Sequence, residues 1–417
     1  MTKFARLGRR SVLAATAATA ALPLIGRAAR AQGISGTPTL KIGVLTDLSG
    51  PYKDVAGPVA IACVRQALED FGVAGKGMNV EIVSADHLNK PDNGVSIAKQ
   101  WFDRDGVDMI CEVANSGVGL AVAGIAKEKN KVYLNSGAAT SDLTGAQCNA
   151  NTIHWVYDTY MLARSTGGAL VSAGGDSWFF ITADYAFGKA LQRDTTAFVN
   201  GAGGKVLGSV AYPFPGTTDF SSLLIQAQAS GAKVLGIANA GADTINTIKQ
   251  AQEFGIKMKL AGLLLFISDI HALGLDVAKG IVLTNSFYWD HNDRTRAFST
   301  RLAPKAPGVR ATMVQAGTYS STLHYLKAAV AMGGIAQAKA DGAATIAKMK
   351  SMPTDDDCFG AGSIRADGRC IHPSFLWEVK PPAQSKGPWD YYKLLATTPA
   401  DQAFRPLDQG GCSLVKA

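Results

Sequence analysis

No glycine completes the motif that begins at Gly117. The run 113–122, VANSGVGLAV, follows the apolar VDMIC and opens a helical pattern, but Val122 stands where a dinucleotide fingerprint G-x-G-x-x-G places its third glycine. The run also follows the third strand of the pattern, whereas the fingerprint follows the first. GxSxG, HExxH and GxxxxGK[ST] are all missing, and no Cys/His pair has the local context of a nucleophile, so the sequence points away from an enzyme. There is no CxxC and no His-rich spacing, and the six scattered histidines show no ligand pattern, so neither a metal nor an organic cofactor is expected. His154 and His271 are lone histidines beside apolar residues and read as structural; the carboxylates of PTDDDC read as a solvated face. After the first 31 residues no apolar run approaches the roughly 20 residues of a membrane span. KLAGLLLFI has the length of a buried strand.

Residues 1–31 read as an export signal of the twin-arginine type, with Arg9 and Arg10, an Ala- and Thr-rich core from Ser11 to Ile25, and a small-x-small end at Ala29-Arg30-Ala31. Cleavage there makes Gln32 the first mature residue; the alternative is an uncleaved anchor. The segment carries Lys3, Arg6, Arg9, Arg10, Arg27 and Arg30 and no acid, so without it the formal charge falls from +8 to +2. That removes the basic footprint of a nucleic-acid binder. A mature chain of about 386 residues exceeds what one hydrophobic core usually serves, so two lobes are expected. Six cysteines in an exported chain suggest disulfides. The expected pair is Cys358 with Cys370, because CFGAGSIRADGRC holds a turn signal between two short extended pieces. Cys63, Cys111, Cys148 and Cys412 stay unassigned.

From Leu40 onward, short apolar runs alternate with segments of helical period, the pattern of an α/β chain with parallel sheets and crossover helices. LKIGVL, MNVEIVSAD, VDMICEV and KVYLN form a first set of strands; SWFFITAD, KVLGSVAY, KVLGIANA and KLAGLLLF form a second. GIVLTNSFYW, a helical stretch from Asp293 to about Ser351, a hairpin and SFLWEVK follow. The segment PPAQSKGPWDYYKLLATTPADQAF is expected to be mostly irregular. In open parallel sheets ligands lie beyond the carboxyl ends of strands. The loop at Asn115, Ser116 and Gly117 and the loop SGAATSDL, with Ala138, Ala139 and Thr140, offer main-chain donors and hydroxyls at such ends. The first also has the free N–H groups of a helix start, suited to a carboxylate. The alternative is that both are ordinary caps and turns.

Together, LKIGVLTDLSGPYKDVAGP, YLNSGAATSDL, ITADYAFGKAL, TTDFSSLL, ANAGADTINTIKQAQEFGI and KGIVLTNSFYW resemble the periplasmic solute-binding proteins of ABC importers, in the branch that binds leucine, isoleucine, valine and amides. The resemblance implies two Rossmann-like doubly wound lobes joined by three crossover hinge segments, with the ligand in the cleft and hinge closure over it. The lobes are expected at 32–156 with 286–365, and at 157–285 with 366–417. It also implies a monomer in the periplasm that captures a small carboxylate-bearing solute. The partner is an inner-membrane ABC permease with its cytoplasmic ATPase, and no nucleic acid is involved.

Carried across position by position, the resemblance assigns Asn115, Ser116 and Gly117, the Ala138 and Ala139 main chain and the Thr140 hydroxyl to the ligand carboxylate. It assigns Phe187, with Tyr185 beside it, to covering the ligand, and Asp243 to an α-ammonium. Phe187 replaces a common tyrosine and Asp243 a longer glutamate; for Asp243 the alternative is a helix N-cap before TINTIKQA. Tyr52, Trp155, Tyr157 and the run Phe287-Tyr288-Trp289 stand near the expected cleft edges, and such a set suits an aromatic acid as well as a branched aliphatic one. A ligand sensor of the same fold, or an exported nucleotide-dependent enzyme, are the rival readings.

Overall fold

The computed structural model describes residues 38–416. The export signal over 1–31 and its cleavage point lie outside them. Five parallel strands, β1 (Thr39–Thr46), β2 (Asn79–Asp86), β3 (Met109–Glu112), β4 (Val132–Asn135) and β5 (Thr152–His154), make a first sheet in the order β2-β1-β3-β4-β5. A second parallel sheet runs β7-β6-β8-β9, from β6 (Ser177–Ala183), β7 (Lys205–Tyr212), β8 (Val234–Ala238) and β9 (Lys259–Gly262). MICE in β3, VYLN in β4 and VLGIA in β8 are buried at every residue, as strands covered on both faces by crossover helices must be. β1 and β6 each have neighbours reached by crossovers in opposite directions. A crevice therefore opens beyond their carboxyl ends.

β10 (Val282–Asn285) packs beside β9 and pairs antiparallel with β14 (Ser374–Val379), which pairs in turn with β15 (Tyr392–Thr398). β11 (Thr354–Asp356), β12 (Gly360–Ile364) and β13 (Cys370–Ile371) form a small antiparallel sheet. Helix Met313–Ala331, buried along nearly its full length, packs on β3, β4 and helix Gly57–Phe71. The chain thus passes between the two halves at 155–158, after β10, and between β13 and β14, giving the two-lobed α/β architecture with three crossovers. Arg369 ties two of the crossovers together. Fully buried, its guanidinium donates to Val156 O at 2.8 Å, lies 3.3 Å from the Asp158 carboxylate and sits 4.5 Å over the Phe404 ring.

Two expectations are corrected by the sheets. KLAGLLLF is a strand only as far as Gly262, and the following residues leave the sheet. The tail expected to be irregular contributes β15, a strand of seven residues. The stretch 366–417, expected wholly in the second lobe, is divided. β14 pairs with β10 and β15 with β14, whereas Arg405 donates to Ser141 O at 2.9 Å and Cys412 is disulfide-bonded to Cys148. The disulfide expected between Cys358 and Cys370 is absent: both are buried free thiols. The ladder register explains it. Cys370 faces Ile364 across β12–β13, while Cys358 lies beyond the far end of β12.

Candidate functional site

The loop after β1 is built around one carboxylate. Asp47, fully buried, accepts from the main-chain N–H of Ser49 (3.2 Å), Gly50 (2.6 Å) and Tyr52 (2.8 Å) and from Asn89 Nδ2 (2.7 Å). This holds Tyr52 over the crevice. From the second sheet, the loop after β6 sends Tyr185 to meet it, and Phe214 stacks on Tyr185 at 4.4 Å and on Tyr52 at 5.5 Å. The main chains also touch: Ala242 N–H donates to Pro51 O at 3.2 Å. That approach needs glycine at 241, where φ is +60° and a Cβ would lie 2.4 Å from Pro51 O.

Behind these contacts lies a small cavity, lined by Tyr52, Val55, Ala114, Gly137, Ala139, Tyr157, Tyr185, Phe187, Ala240, Leu264, Phe266 and Val314. Nearly every lining residue follows the carboxyl end of a strand: β1, β3 and β4 on one side, β6, β8 and β9 on the other. Leu264 and Phe266, read from sequence as strand core, are wall because β9 stops early. Five lining side chains are aromatic and none is Lys or Arg.

Of the residues singled out from sequence, Tyr52, Ala139, Tyr157, Tyr185 and Phe187 meet on this wall. The others stand behind it or serve other partners. Asn115 caps helix Ser116–Glu128 through Val118 N–H (3.1 Å) and donates to Asn89. The Gly117 Cα faces Asn115 and Pro91. Ala138 N–H is taken by Asn135, and the Thr140 hydroxyl caps the turn Ser141–Thr144 and donates to Asp142. The main-chain N–H groups of Ala139 and Thr140 both donate to Ser116 Oγ at 3.1 Å. With both lone pairs of that hydroxyl engaged, its proton is the donor left over.

Tyr157 donates to Gly137 O at 2.7 Å. Asp243 lies in the first turn of helix Ala242–Glu253, whose N-cap is Gly241, and accepts from Tyr212 at 2.8 Å. Burial pushes its carboxyl up to about 6, against the Tyr212 hydrogen bond, which pulls it down. Burial likewise raises the Tyr52 and Tyr185 phenols, which stay neutral.

Apart from Ala139, sequence reasoning missed the aliphatic and small lining residues, which come from distant segments, and it missed Glu112. This residue ends β3 fully buried, and neither carboxyl oxygen makes a well-aligned hydrogen bond, although the Thr46 hydroxyl and the Val113 and Ala114 N–H groups lie near it. Burial pushes its carboxyl up to about 8; the nearby Thr46 hydroxyl and the Val113 and Ala114 main chain oppose the rise, and Asp47 adds to it. Glu112 and Val113 hold φ of +77° and +64°, a strained pair for non-glycine residues. The available signal was an acid interrupting the apolar run VDMICEV.

A two-lobed α/β protein with an apolar, cation-free cavity between lobes belongs to the class that encloses small solutes. The chain is a member of the periplasmic binding protein family, whose sequence model matches residues 39–388. A periplasmic binding protein from Burkholderia mallei is 46% identical over 91% of this chain and 99% of that one, with a TM-score of 0.87. A branched chain amino acid ABC transporter periplasmic ligand-binding protein from Burkholderia xenovorans LB400 is 39% identical over 90% and 99%, with a TM-score of 0.78. At 20% identity, a solute binding protein of an ABC transporter from R. palustris, solved in complex with benzoate, shares the fold over 90% and 100%, with a TM-score of 0.79. A Leu/Ile/Val-binding protein homolog of Brucella abortus is 25% identical over 60% of this chain, and the match spans 61% of that relative's length.

Proposed function

We propose that this protein is the extracytoplasmic solute-capturing component of an ABC importer. It encloses one small carboxylate-bearing ligand between its lobes and hands it to an inner-membrane permease driven by a cytoplasmic ATPase. The observation that carries the reading is the cavity wall, with rings from both lobes and no cation. Affinity comes from desolvating an apolar body among Tyr52, Tyr157, Tyr185, Phe187 and Phe266, and hydroxyls such as Ser116 orient the charged end. A ligand that touches both lobes favours the shut form and shifts the population toward it.

Among carboxylates, an aromatic acid suits this wall best, and the benzoate-bound relative of the same fold supports that choice. A second reading, an α-amino acid, rests on Asp243, whose Oδ1 carries no side-chain hydrogen bond among the described residues, and on the description of the B. xenovorans relative. A thermal-shift screen of the mature protein against benzoate, cinnamate, 4-hydroxybenzoate, leucine and phenylalanine separates them, because stabilisation grows as RT ln(1 + [L]/Kd). Shifts confined to acids without an amine support the first reading; shifts confined to amino acids support the second. No shift with any carboxylate rejects both.

Import is distinguished from sensing by uptake of labelled ligand into cells, which is lost on deletion of this chain in an importer only. Ligand recovered unchanged after incubation excludes turnover. The same proposal makes 32–156 with 286–365 and 157–285 with most of 366–417 the two moving bodies, and routes export through Arg9 and Arg10. Replacing both arginines by lysine is expected to leave the precursor in the cytoplasm, and normal export of that variant would refute the route.

A further inference from the structure

We infer that Glu112 is a ligand-binding residue: its carboxyl, packed directly behind the cavity-lining Ala114 and Gly137, donates a hydrogen bond to the carboxylate of the bound solute. The inference rests on the proposed capture of a carboxylate and assigns that group a partner which the family resemblance does not supply.

The placement is specific. A Cβ on Gly137 would sit 2.2 Å from Glu112 Oε1, 2.7 Å from Ala114 Cα and 2.9 Å from Ala114 N. The carboxyl therefore occupies the gap that the missing Gly137 side chain leaves, against two residues that line the cavity. Main-chain bonds lock it there: Glu112 O accepts from Ser136 N–H at 3.3 Å and from Gly137 N–H at 3.4 Å, so the strained end of β3 and the loop after β4 hold each other. A fully buried acid whose oxygens find only the loosely aligned Thr46 hydroxyl and the Val113 and Ala114 N–H groups is costly unless something satisfies it further. The main-chain donors that the sequence suggested for the ligand carboxylate are spent inside the protein: Ala138 N–H on Asn135, and those of Ala139 and Thr140 on Ser116. Of the groups the sequence suggested, the Ser116 hydroxyl proton stays free for an anion; a protonated carboxyl is a second donor.

The charged and titratable groups around Glu112 are consistent with its staying neutral. Asp47 follows β1 on one side, Cys111 precedes it on β3, and Tyr133 on β4 and Tyr157 after β5 feel its charge. Helix Met313–Ala331 approaches through Thr322, whose hydroxyl lies near Cys111. No Lys or Arg contributes to its titration. Burial holds the proton to about pH 8, and a bound carboxylate holds it further.

The test is isothermal titration calorimetry of the mature protein from pH 6 to 9.5, with benzoate and leucine as probes, on wild type, Glu112→Gln and Glu112→Leu. Wild-type affinity for the probe that binds is expected to be flat to about pH 8 and then to fall toward tenfold per unit. In that window binding takes up close to one proton, read from buffers of different ionisation enthalpy. Glu112→Gln keeps a neutral donor; it should bind at pH 7 within a few-fold of wild type and lose the alkaline fall. Glu112→Leu should bind about ten- to a hundredfold more weakly at pH 7. A Glu112→Gln profile that still falls above pH 8, or Glu112→Leu affinity equal to wild type, overturns the inference and leaves the proposed function standing. Wild type that binds neither probe overturns both.

Discussion

The Tyr52 hydroxyl lies 2.5 Å from the Tyr185 hydroxyl, one phenol from the loop after β1 and the other from the loop after β6. Each follows a strand of a different sheet, so under the proposed closure the bond exists only when the lobes are shut. Phe214, stacked against both rings, makes a three-ring plug over the cavity. Tyr185→Phe removes the bond and keeps the plug. A single neutral hydrogen bond is worth about 0.5–1.5 kcal/mol, so ligand affinity should drop about three- to tenfold. Small-angle scattering of the unliganded variant should show a larger radius of gyration than wild type. Unchanged scattering and affinity would mean the pair does not latch the lobes.

Glu112 sets a pH dependence of stability that needs no ligand. In the unfolded chain its carboxyl releases its proton near the ordinary glutamate value of about 4.3. In the folded protein it holds the proton to about 8. Between those values the folded state binds a proton that the unfolded state has lost, so stability from this group is highest at low pH and declines as pH rises to about 8. Glu112→Gln removes the decline. Urea unfolding should find the variant more stable than wild type at pH 8, by on the order of 3–5 kcal/mol as an upper bound, with the gap closing toward pH 5. A gap that does not change with pH would exclude Glu112 as its source.

The parallel sheets were legible because fully buried strands write themselves as short apolar runs between helical periods. Tyr52 and Tyr157 were legible as cleft-edge residues because they stand after strand ends, where an open sheet leaves its crevice, while Tyr185 and Phe187 came only from the family resemblance. Ser116 was legible as a polar loop residue, but its use by Ala139 and Thr140 N–H was not, since that bond joins loops 23 and 24 residues apart. Val314, Leu264 and Phe266 reach the cavity through packing between lobes, which no local period records. Apolar periodicity hid Glu112, because a single acid in a strand reads as the strand's end.

Cysteine pairing failed for the same reason of range. The hairpin near Cys358 and Cys370 offered a local solution, whereas Cys148 and Cys412 are 264 residues apart in sequence. Closing so long a loop restricts the unfolded chain strongly, and such bridges typically contribute about 2–4 kcal/mol. Cys412→Ser should lower the unfolding midpoint accordingly and free the tail around Arg405 from Ser141, seen as faster amide exchange there. Cys358→Ser with Cys370→Ser should leave the non-reduced disulfide peptide unchanged in mass spectrometry. Loss of a cross-link in that double variant would restore the hairpin pairing.

Ser116 and Thr140 divide the roles that sequence gave them jointly. Ser116 Oγ accepts two buried main-chain N–H groups and keeps a proton to give; the Thr140 hydroxyl caps a turn and donates to Asp142. Ser116→Ala leaves two buried donors unpaired and removes the spare one, so it should lower stability by about 1–3 kcal/mol and weaken carboxylate binding at least tenfold. Thr140→Val removes a cap and should lower stability by about 1 kcal/mol, with affinity within about threefold of wild type. Titrations of both variants with benzoate read the contrast directly, and a larger affinity loss in Thr140→Val would return the carboxylate to that hydroxyl.

Gly137→Ala tests the wall where the cavity and Glu112 meet. The new methyl would fall 2.2 Å from Glu112 Oε1, which a side chain can relieve by moving, but also 2.7 Å from Ala114 Cα and 2.9 Å from Ala114 N, which are main chain. The loops after β3 and β4 must then part, at a cost of about 1–3 kcal/mol, as overpacking of close-fitted interiors does. Because both loops line the cavity, ligand affinity should fall with stability, and adding Glu112→Gln should recover neither, since the amide fills the same gap. Recovery in the double variant would locate the whole clash on the carboxyl and show that the backbone of Ala114 yields.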